Sequence, residues 1–150
     1  MCRVYNSNGG ILLEFTLVEG KFSGRNRSWT DNGVLICDRC FDNRGSIHGE
    51  SRIWSTNGKL IEKCYYVAGE YHGSYERWNE NGDLLEECNY DNGKLHGVCK
   101  KWHTINNYIS RCIYINGELF EKYECWHTNG KLYERRYPCD YKDVISLTND

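Results

Sequence analysis

A repeat of about 24 residues is the feature that most constrains this chain. An aromatic residue recurs at steps of 24, 25, 24, 24 and 24 residues, at Tyr5, Trp29, Trp54, Trp78, Trp102 and Trp126. A fixed period of this size is typical of architectures in which similar units stack on their neighbours. We therefore predict a repeat domain over residues 1–137, whose six units start near these aromatics, and a C-terminal cap or tail over 138–150.

Most units carry two glycine turn signals. Asn81-Gly82 shows the first, three residues after the aromatic, and Asn92-Gly93 shows the second. The fifth unit is irregular, because Ile105-Asn106 replaces its first Asn-Gly and Glu121 replaces the glycine after its second turn. Asn-Gly favours the type I′ turn of a two-residue β-hairpin, and segments of roughly 9 and 11 residues between turns suit strands better than capped helices. The predicted fold is all-β: a single elongated, twisted antiparallel β-meander of about eleven or twelve strands, with no helical layer.

The turns also predict the strand register. With two-residue turns, Tyr90 lies opposite Leu95, while Cys88 lies opposite Tyr75 on one side and Gly97 on the other. The second unit has one extra residue, which we place between Gly33 and Cys40 and expect to form a β-bulge.

A ladder of repeated residues is expected on one face of the sheet. Its predicted members are Cys40, Cys64, Cys88, Cys112, Gly49, Gly73 and Gly97. Equivalent residues lie two strands apart, at about 9.5 Å, which is too far for disulfides or a shared metal within the ladder. We interpret the cysteines as small buried apolar groups and the glycines as room for neighbouring rings. The chain has 9 cysteines, an odd number, and no secretory leader, so reduced thiols are expected.

Candidate catalytic groups recur in every unit, whereas an active site is normally a single constellation. Cys37 and Cys40 form one CxxC pair without a second pair to complete a zinc site. Cys88 and His96 are predicted on opposite faces, which rules out a hydrogen-bonded nucleophile and base. We therefore predict no catalytic residue, no cofactor and no metal, and expect that the protein is not an enzyme.

Charge is spread along the chain rather than clustered. It has 19 basic and 21 acidic residues, with a net charge of −2, so nothing indicates nucleic-acid binding. No apolar run could cross a bilayer and no leader precedes the repeats. We expect an intracellular, cytoplasmic protein.

The repeated pattern W-x-x-N-G-x-L-x-x-x-C-x-Y-x-x-G-x-x-H-G resembles MORN repeats over about residues 5–137. It is more similar to the 24-residue MORN variant of bacterial antitoxin-like proteins and large DNA viruses of amoebae. The resemblance implies scaffolds, dimerisation surfaces or membrane-proximal tethers without catalytic residues, and a location in the host cytoplasm if the protein is viral.

The leading functional prediction is a non-enzymatic protein-interaction or assembly scaffold with an unidentified protein partner. The predicted partner-binding residues are Trp54, Trp78, Trp102 and Trp126, because large aromatics dominate interface energetics. The competing interpretation is that these rings only pack on one another and on Ile61, Leu85 and Ile109. Two further hypotheses are an antitoxin-like inhibitor of a cognate protein and a lipid-binding module, the second of which the lack of a basic stripe disfavours. A homodimer is left open.

Overall fold

The computed structural model describes residues 1–103, 107–120 and 123–136. The predicted irregularities at Asn106 and Glu121 and the predicted cap over 138–150 lie outside these residues. The strands are β1 (Cys2–Tyr5), β2 (Ile11–Phe15), β3 (Leu17–Val18), β4 (Lys21–Phe22), β5 (Gly24–Trp29), β6 (Leu35–Phe41), β7 (Gly49–Trp54), β8 (Leu60–Val67), β9 (Glu70–Trp78), β10 (Leu84–Asp91), β11 (Lys94–Leu95), β12 (Gly97–His103), β13 (Tyr108–Ile115), β14 (Glu118–Leu119), β15 (Tyr123–His127) and β16 (Leu132–Arg136).

The strands form one antiparallel meander, as predicted. The main path runs β1-β2-β5-β6-β7-β8-β9-β10-β12-β13-β15-β16, with β11 beside β10 and β14 beside β13. The short β3–β4 hairpin is a separate two-stranded sheet. Within the described residues all the regular structure is strand, so the expectation of an all-β fold without a helical layer is confirmed.

The second turn of most units is the predicted type I′ turn. Both central residues have positive φ in Ala68-Gly69 (50° and 91°) and in Asn92-Gly93 (47° and 78°). This is the combination that type I′ turns need and that matches the twist of paired strands. The predicted register Tyr90 opposite Leu95 follows from it and is confirmed.

Among the described residues, the first turn of the units has a different form, so the prediction of two type I′ turns per unit is wrong. In the Asn81-Gly82 turn only the glycine has positive φ. Gly82 N–H donates to the Asn79 carbonyl at 3.0 Å, and Asn79 N–H donates to the Asp83 carbonyl at 3.0 Å. These bonds enclose a three-residue loop, a type I turn followed by a left-handed glycine. The loop explains the register shift between Leu84 and Glu86.

The extra residue of the second unit lies in its second turn, not between Gly33 and Cys40 as predicted. Asp42 N–H donates to the Ser46 carbonyl and Gly45 N–H to the Asp42 carbonyl. The second turn of this unit therefore has three loop residues, whereas the equivalent turn of the next unit, Ala68-Gly69, has two. A bulge does occur at Ile36, between the pairs Ser28–Cys37 and Trp29–Leu35, but equivalent bulges recur in other units.

A glycine follows the second turn in the first four units and is needed for its backbone conformation. Gly73 and Gly97 have φ of 78° and 83°, in the left-handed region that favours glycine. A Cβ on either would meet no atom within 4 Å, so the prediction that these glycines make room for a ring is wrong. Cys40 Cβ would lie 3.9 Å from a Cβ on Gly49. The strand gains two residues at each of these glycines, which places Cys88 opposite Cys99 instead of Gly97.

One face of the sheet, called the Cys face, contains the most buried side chains. Cys64 and Cys88 are each 1% exposed, and both lie directly opposite Tyr75, as predicted for Cys88. Tyr66 stacks on Tyr71 with ring centroids 4.6 Å apart, and these rings continue toward Tyr75. Because no second layer covers this face in the described residues, tyrosines take the place of an opposing sheet in burying the thiols.

Candidate functional site

The opposite face, called the Trp face, carries an unbroken row of charged residues. The row runs through directly paired positions from β1 to β16: Arg3, Glu14, Arg27, Asp38, Arg52, Lys63, Glu76, Glu87, Lys100, Arg111, Glu124 and Arg135. Seven of the twelve are basic and five are acidic. The row is therefore of mixed sign, and its central part alternates in pairs of like charge.

Ion pairs connect the row across the strands. Arg3 Nε donates to Glu14 at 2.9 Å, Lys100 Nζ lies 3.1 Å from Glu87, and Arg135 Nε donates to Glu124 at 3.0 Å. In the middle of the sheet the pairing is looser, because Lys63 Nζ lies 3.9 Å from Glu76. Charged groups near the centre of the row can therefore exchange these contacts for a ligand at small cost.

The tryptophans lie on the same face as the charged row. Each stands two residues after a member of the row, and residues i and i+2 of a strand share a face. Arg52 precedes Trp54 in this way, and the same holds for Trp78, Trp102 and Trp126. All four predicted partner-binding tryptophans are part-exposed. Arg27 lies over the Trp29 ring at 5.6 Å, in a cation–π contact.

Trp54, Trp78 and Trp126 pair with leucines on the next strand, and Trp102 pairs with Ile109. Of the aliphatic neighbours expected for the rings, only Ile109 pairs as predicted, because Leu60 and Leu84 rather than Ile61 and Leu85 lie opposite Trp54 and Trp78. Part-exposure of the rings leaves the binding prediction open to test. The Trp face thus joins an aromatic and aliphatic row to a charged row over the full width of the sheet.

The predicted cysteine ladder is corrected at its first member. Arg39, not Cys40, lies in the buried row with Ser51 and Cys64, because the extra residue is in the following turn. Cys40 pairs with Arg25 on the Trp face. Cys37 and Cys40 are three residues apart on one strand, so their side chains point to opposite faces and cannot ligate one metal.

The expectation of reduced thiols fails at one position. Cys88 and Cys99, on the neighbouring strands β10 and β12, are joined by a disulfide with Cα atoms 4.1 Å apart. Cys99 is not a member of the predicted ladder, so this disulfide does not join two ladder cysteines. Cys64 and Cys112 are free and buried, and burial raises the pKa of the Cys64 thiol to about 11.

The disulfide lies beside Glu86. Ligand atoms of Glu86, Cys88 and Cys99 all lie within 4.8 Å of one another. Lys101 Nζ lies 2.9 Å from Glu86, and Arg77 donates to it at 3.3 Å. Because the two sulfurs are bonded to each other and the carboxylate is neutralised by two cations, these groups hold no free ligand set in this form.

The charged row was not among the predicted features, although its pattern is visible in the sequence. A charged residue stands two positions before each repeated aromatic, as in Lys100 before Trp102, and nine positions after it, as in Arg111 after Trp102. Counting charge along the chain hides this order, since the two signs nearly cancel. Only the register shows that these positions form one line.

Residues 47–68 and 71–92 each match the family described as the MORN repeat variant. No curated protein matches the chain. The part of the chain that the structure describes contains no helix long and apolar enough to cross a membrane. MORN repeats are generally non-catalytic modules that bind proteins or membranes. The first matched segment contains β7 and β8, the second contains most of β9 and all of β10, and hairpins like these recur along the sheet. Two segments of the chain are therefore similar to MORN repeats of this variant form.

Proposed function

We propose that this protein is an interaction scaffold that binds a protein partner through the Trp face. The observation that carries the proposal is the line of part-exposed tryptophans beside a charged row of mixed sign. Aromatic side chains supply most of the affinity at protein interfaces, while charged groups at the rim steer orientation and partner choice. The two rows together provide both on one continuous surface.

The charge pattern favours protein over lipid and nucleic acid as the partner class. Neighbouring charges in the centre of the row are Arg52 and Lys63, followed by Glu76 and Glu87. Phosphate-rich partners would be repelled by the two acidic positions as strongly as they are attracted by the basic pair. A protein surface can offer the complementary pattern, so an anionic bilayer or nucleic acid is the weaker fit.

A capture experiment tests the proposal. The tagged chain is incubated with extract of cells that express it naturally, and bound proteins are identified by mass spectrometry. One variant combines Arg52→Glu with Lys63→Glu on the Trp face, where these side chains are 44% and 36% exposed. A second combines Trp54→Ala, Trp78→Ala and Trp102→Ala. The matched control combines Arg77→Ala and Lys101→Ala on the Cys face.

We expect both Trp-face variants to lose the captured partner and the Cys-face control to keep it. Circular dichroism and thermal unfolding verify folding, and the charge variant serves if the tryptophan triple is unstable. A folded Trp-face variant that retains the partner contradicts the proposal. The antitoxin-like hypothesis predicts a single cognate protein in a stoichiometric complex, whereas a scaffold recovers an assembly.

Membrane binding and homodimer formation have separate measurements. Sedimentation with phosphatidylserine vesicles is expected to leave the protein in the supernatant, and co-pelleting would favour lipid binding instead. Light scattering after size exclusion gives the mass of the free protein. A dimer that persists in the Trp-face variants would show that the copies associate elsewhere.

A further inference from the structure

The joint between β10 and β12 is held by few pairs. Its register contains two pairs, Glu86–Lys101 and Glu87–Lys100. The flanking ladders are longer, with six pairs between β9 and β10 and seven between β12 and β13. Both pairs at the joint are also ion pairs, at 2.9 and 3.1 Å, on opposite faces of the sheet. The Cys88–Cys99 disulfide continues this short ladder by one further position.

The pairing of Cys99 explains why its partner is Cys88. Antiparallel pairs alternate between close pairs without mutual hydrogen bonds, near 4.5 Å, and wider hydrogen-bonded pairs, near 5.5 Å. The Cα distance of 4.1 Å makes Cys88–Cys99 a close pair. Because close and wide pairs alternate along a strand, the N–H and C=O of Cys99 then point away from β10 and toward β13, where Cys99 lies opposite Cys112. Cys99 and Cys112 consequently form a wide pair, so Cys112 lies farther from Cys99 than Cys88 does, and Cys112 is a free thiol.

We propose that Cys88 and Cys99 form a reversible redox site that controls the strength of the β10–β12 joint. In reduction, the thiolate of a small thiol such as glutathione attacks one sulfur, the S–S bond breaks and the other cysteine leaves as a thiolate that takes up a proton. A second glutathione thiolate then attacks the glutathione sulfur of this mixed disulfide, and the protein cysteine leaves as a thiolate that takes up a proton. The products are two protein thiols and one glutathione disulfide. Oxidation by glutathione disulfide is the reverse.

Burial makes this exchange depend on opening of the joint. Cys88 is 1% exposed and Cys99 is 3% exposed, so an attacking thiolate reaches neither sulfur while the strands remain closed. The two ion pairs are the contacts that must separate. Once the bond is reduced, β10 and β12 are joined by these two pairs, by the His96–Asn89 backbone hydrogen bond and by the β10–β11 hairpin, and local opening becomes more frequent.

The test compares the oxidised and reduced full-length chain. Samples equilibrated in glutathione buffers of graded ratio are acid-quenched, alkylated and digested, and mass spectrometry reports the linked and alkylated forms of Cys88 and Cys99. Hydrogen exchange is then measured in both states. We expect a single reversible transition of this pair. In the reduced state, amides in residues 84–103 should exchange faster, on the order of tenfold, while residues 49–67 should not change.

Two variants sharpen the comparison. Cys112→Ser should retain the redox response, and Cys99→Ser should exchange like the reduced chain in every buffer. The proposal is overturned if Cys88 and Cys99 are alkylated as free thiols at every ratio. It is equally overturned if the bond forms but exchange in residues 84–103 is the same in both states. The wild-type measurements decide these outcomes even if Cys99→Ser fails to fold, and no binding partner is required.

Discussion

Glu14 lies directly opposite Arg27 on the neighbouring strand, and their side chains form an ion pair. Arg3 donates to the same carboxylate from the other side at 2.9 Å, and Glu14 as a whole is only 5% exposed. These hydrogen bonds, that of Arg3 foremost, lower the pKa of Glu14 from its ordinary value of 4.5. The ionised form of Glu14 therefore stabilises the folded state at this end of the charged row.

Stability should consequently depend on the ionisation of Glu14. A carboxyl group whose native pKa is lowered stabilises the fold above its unfolded pKa, and this contribution disappears as pH falls through the native value. We expect Glu14→Gln to unfold more easily in urea at pH 7 and to lose less stability than the wild type as pH falls below about 4.5. Urea titrations at a series of pH values measure this. Parallel pH curves for the two proteins would contradict the assignment.

Asp38 should matter more for stability than an exposed acidic residue nearby. It is 9% exposed and accepts two hydrogen bonds from Arg25, one from Nε at 2.8 Å. Because Arg25 can return to water, Asp38→Ala should lose about 1–2 kcal/mol of unfolding free energy. Glu50→Ala, whose side chain is 42% exposed, is the control and should lose less than about 0.5 kcal/mol. Equal losses in chemical unfolding would argue against a special role for the buried carboxylate.

The period and turn glycines allowed the meander to be predicted, but the type of the first turn was missed. Asn79 Oδ1 accepts from the N–H groups of Asn81 and Asp83, both at 2.9 Å. This local capture favours the three-residue loop over the type I′ turn that Asn-Gly alone indicates. Asp42 makes the same bonds to Arg44 and Ser46. An Asn or Asp three residues before a turn glycine therefore indicates the three-residue loop, and the sequence prediction overlooked it.

The disulfide could not have been placed from spacing alone. Cys99 joins the buried row only because two residues are added at the bulge around Gly97, and neither turn determines that number. The tryptophans and their face, by contrast, follow from strand alternation, since Trp78 stands two residues after Glu76. Face assignments were therefore predictable within a strand, whereas pairing across a bulge was not.

The turn at Ala68 offers a stabilising substitution. Ala68 has φ of 50°, while Asn92 and Asn116 at the equivalent position have 47° and 53°. Asparagine tolerates the left-handed region better than alanine. Ala68→Asn should therefore raise the unfolding free energy by about 0.5–1 kcal/mol, and Asn92→Ala should lower it by a similar amount. Thermal unfolding of both variants measures whether Ala68→Asn is more stable and Asn92→Ala less stable than the wild type. If neither substitution changes the stability, the left-handed conformation at this turn position does not favour asparagine over alanine.

Thiol reactivity should separate Cys64 from Cys2. Cys2 is exposed, whereas Cys64 is 1% exposed and burial raises its pKa to about 11. At pH 8 a thiol with that pKa has only about one thiolate in a thousand molecules, and the thiolate is the reactive species. Iodoacetamide should therefore label Cys2 at least about a hundredfold faster than Cys64 in the folded protein. In urea, where both thiols are solvated, the two rates should become similar. Comparable rates in the folded protein would mean that the tyrosines on the Cys face do not shield Cys64.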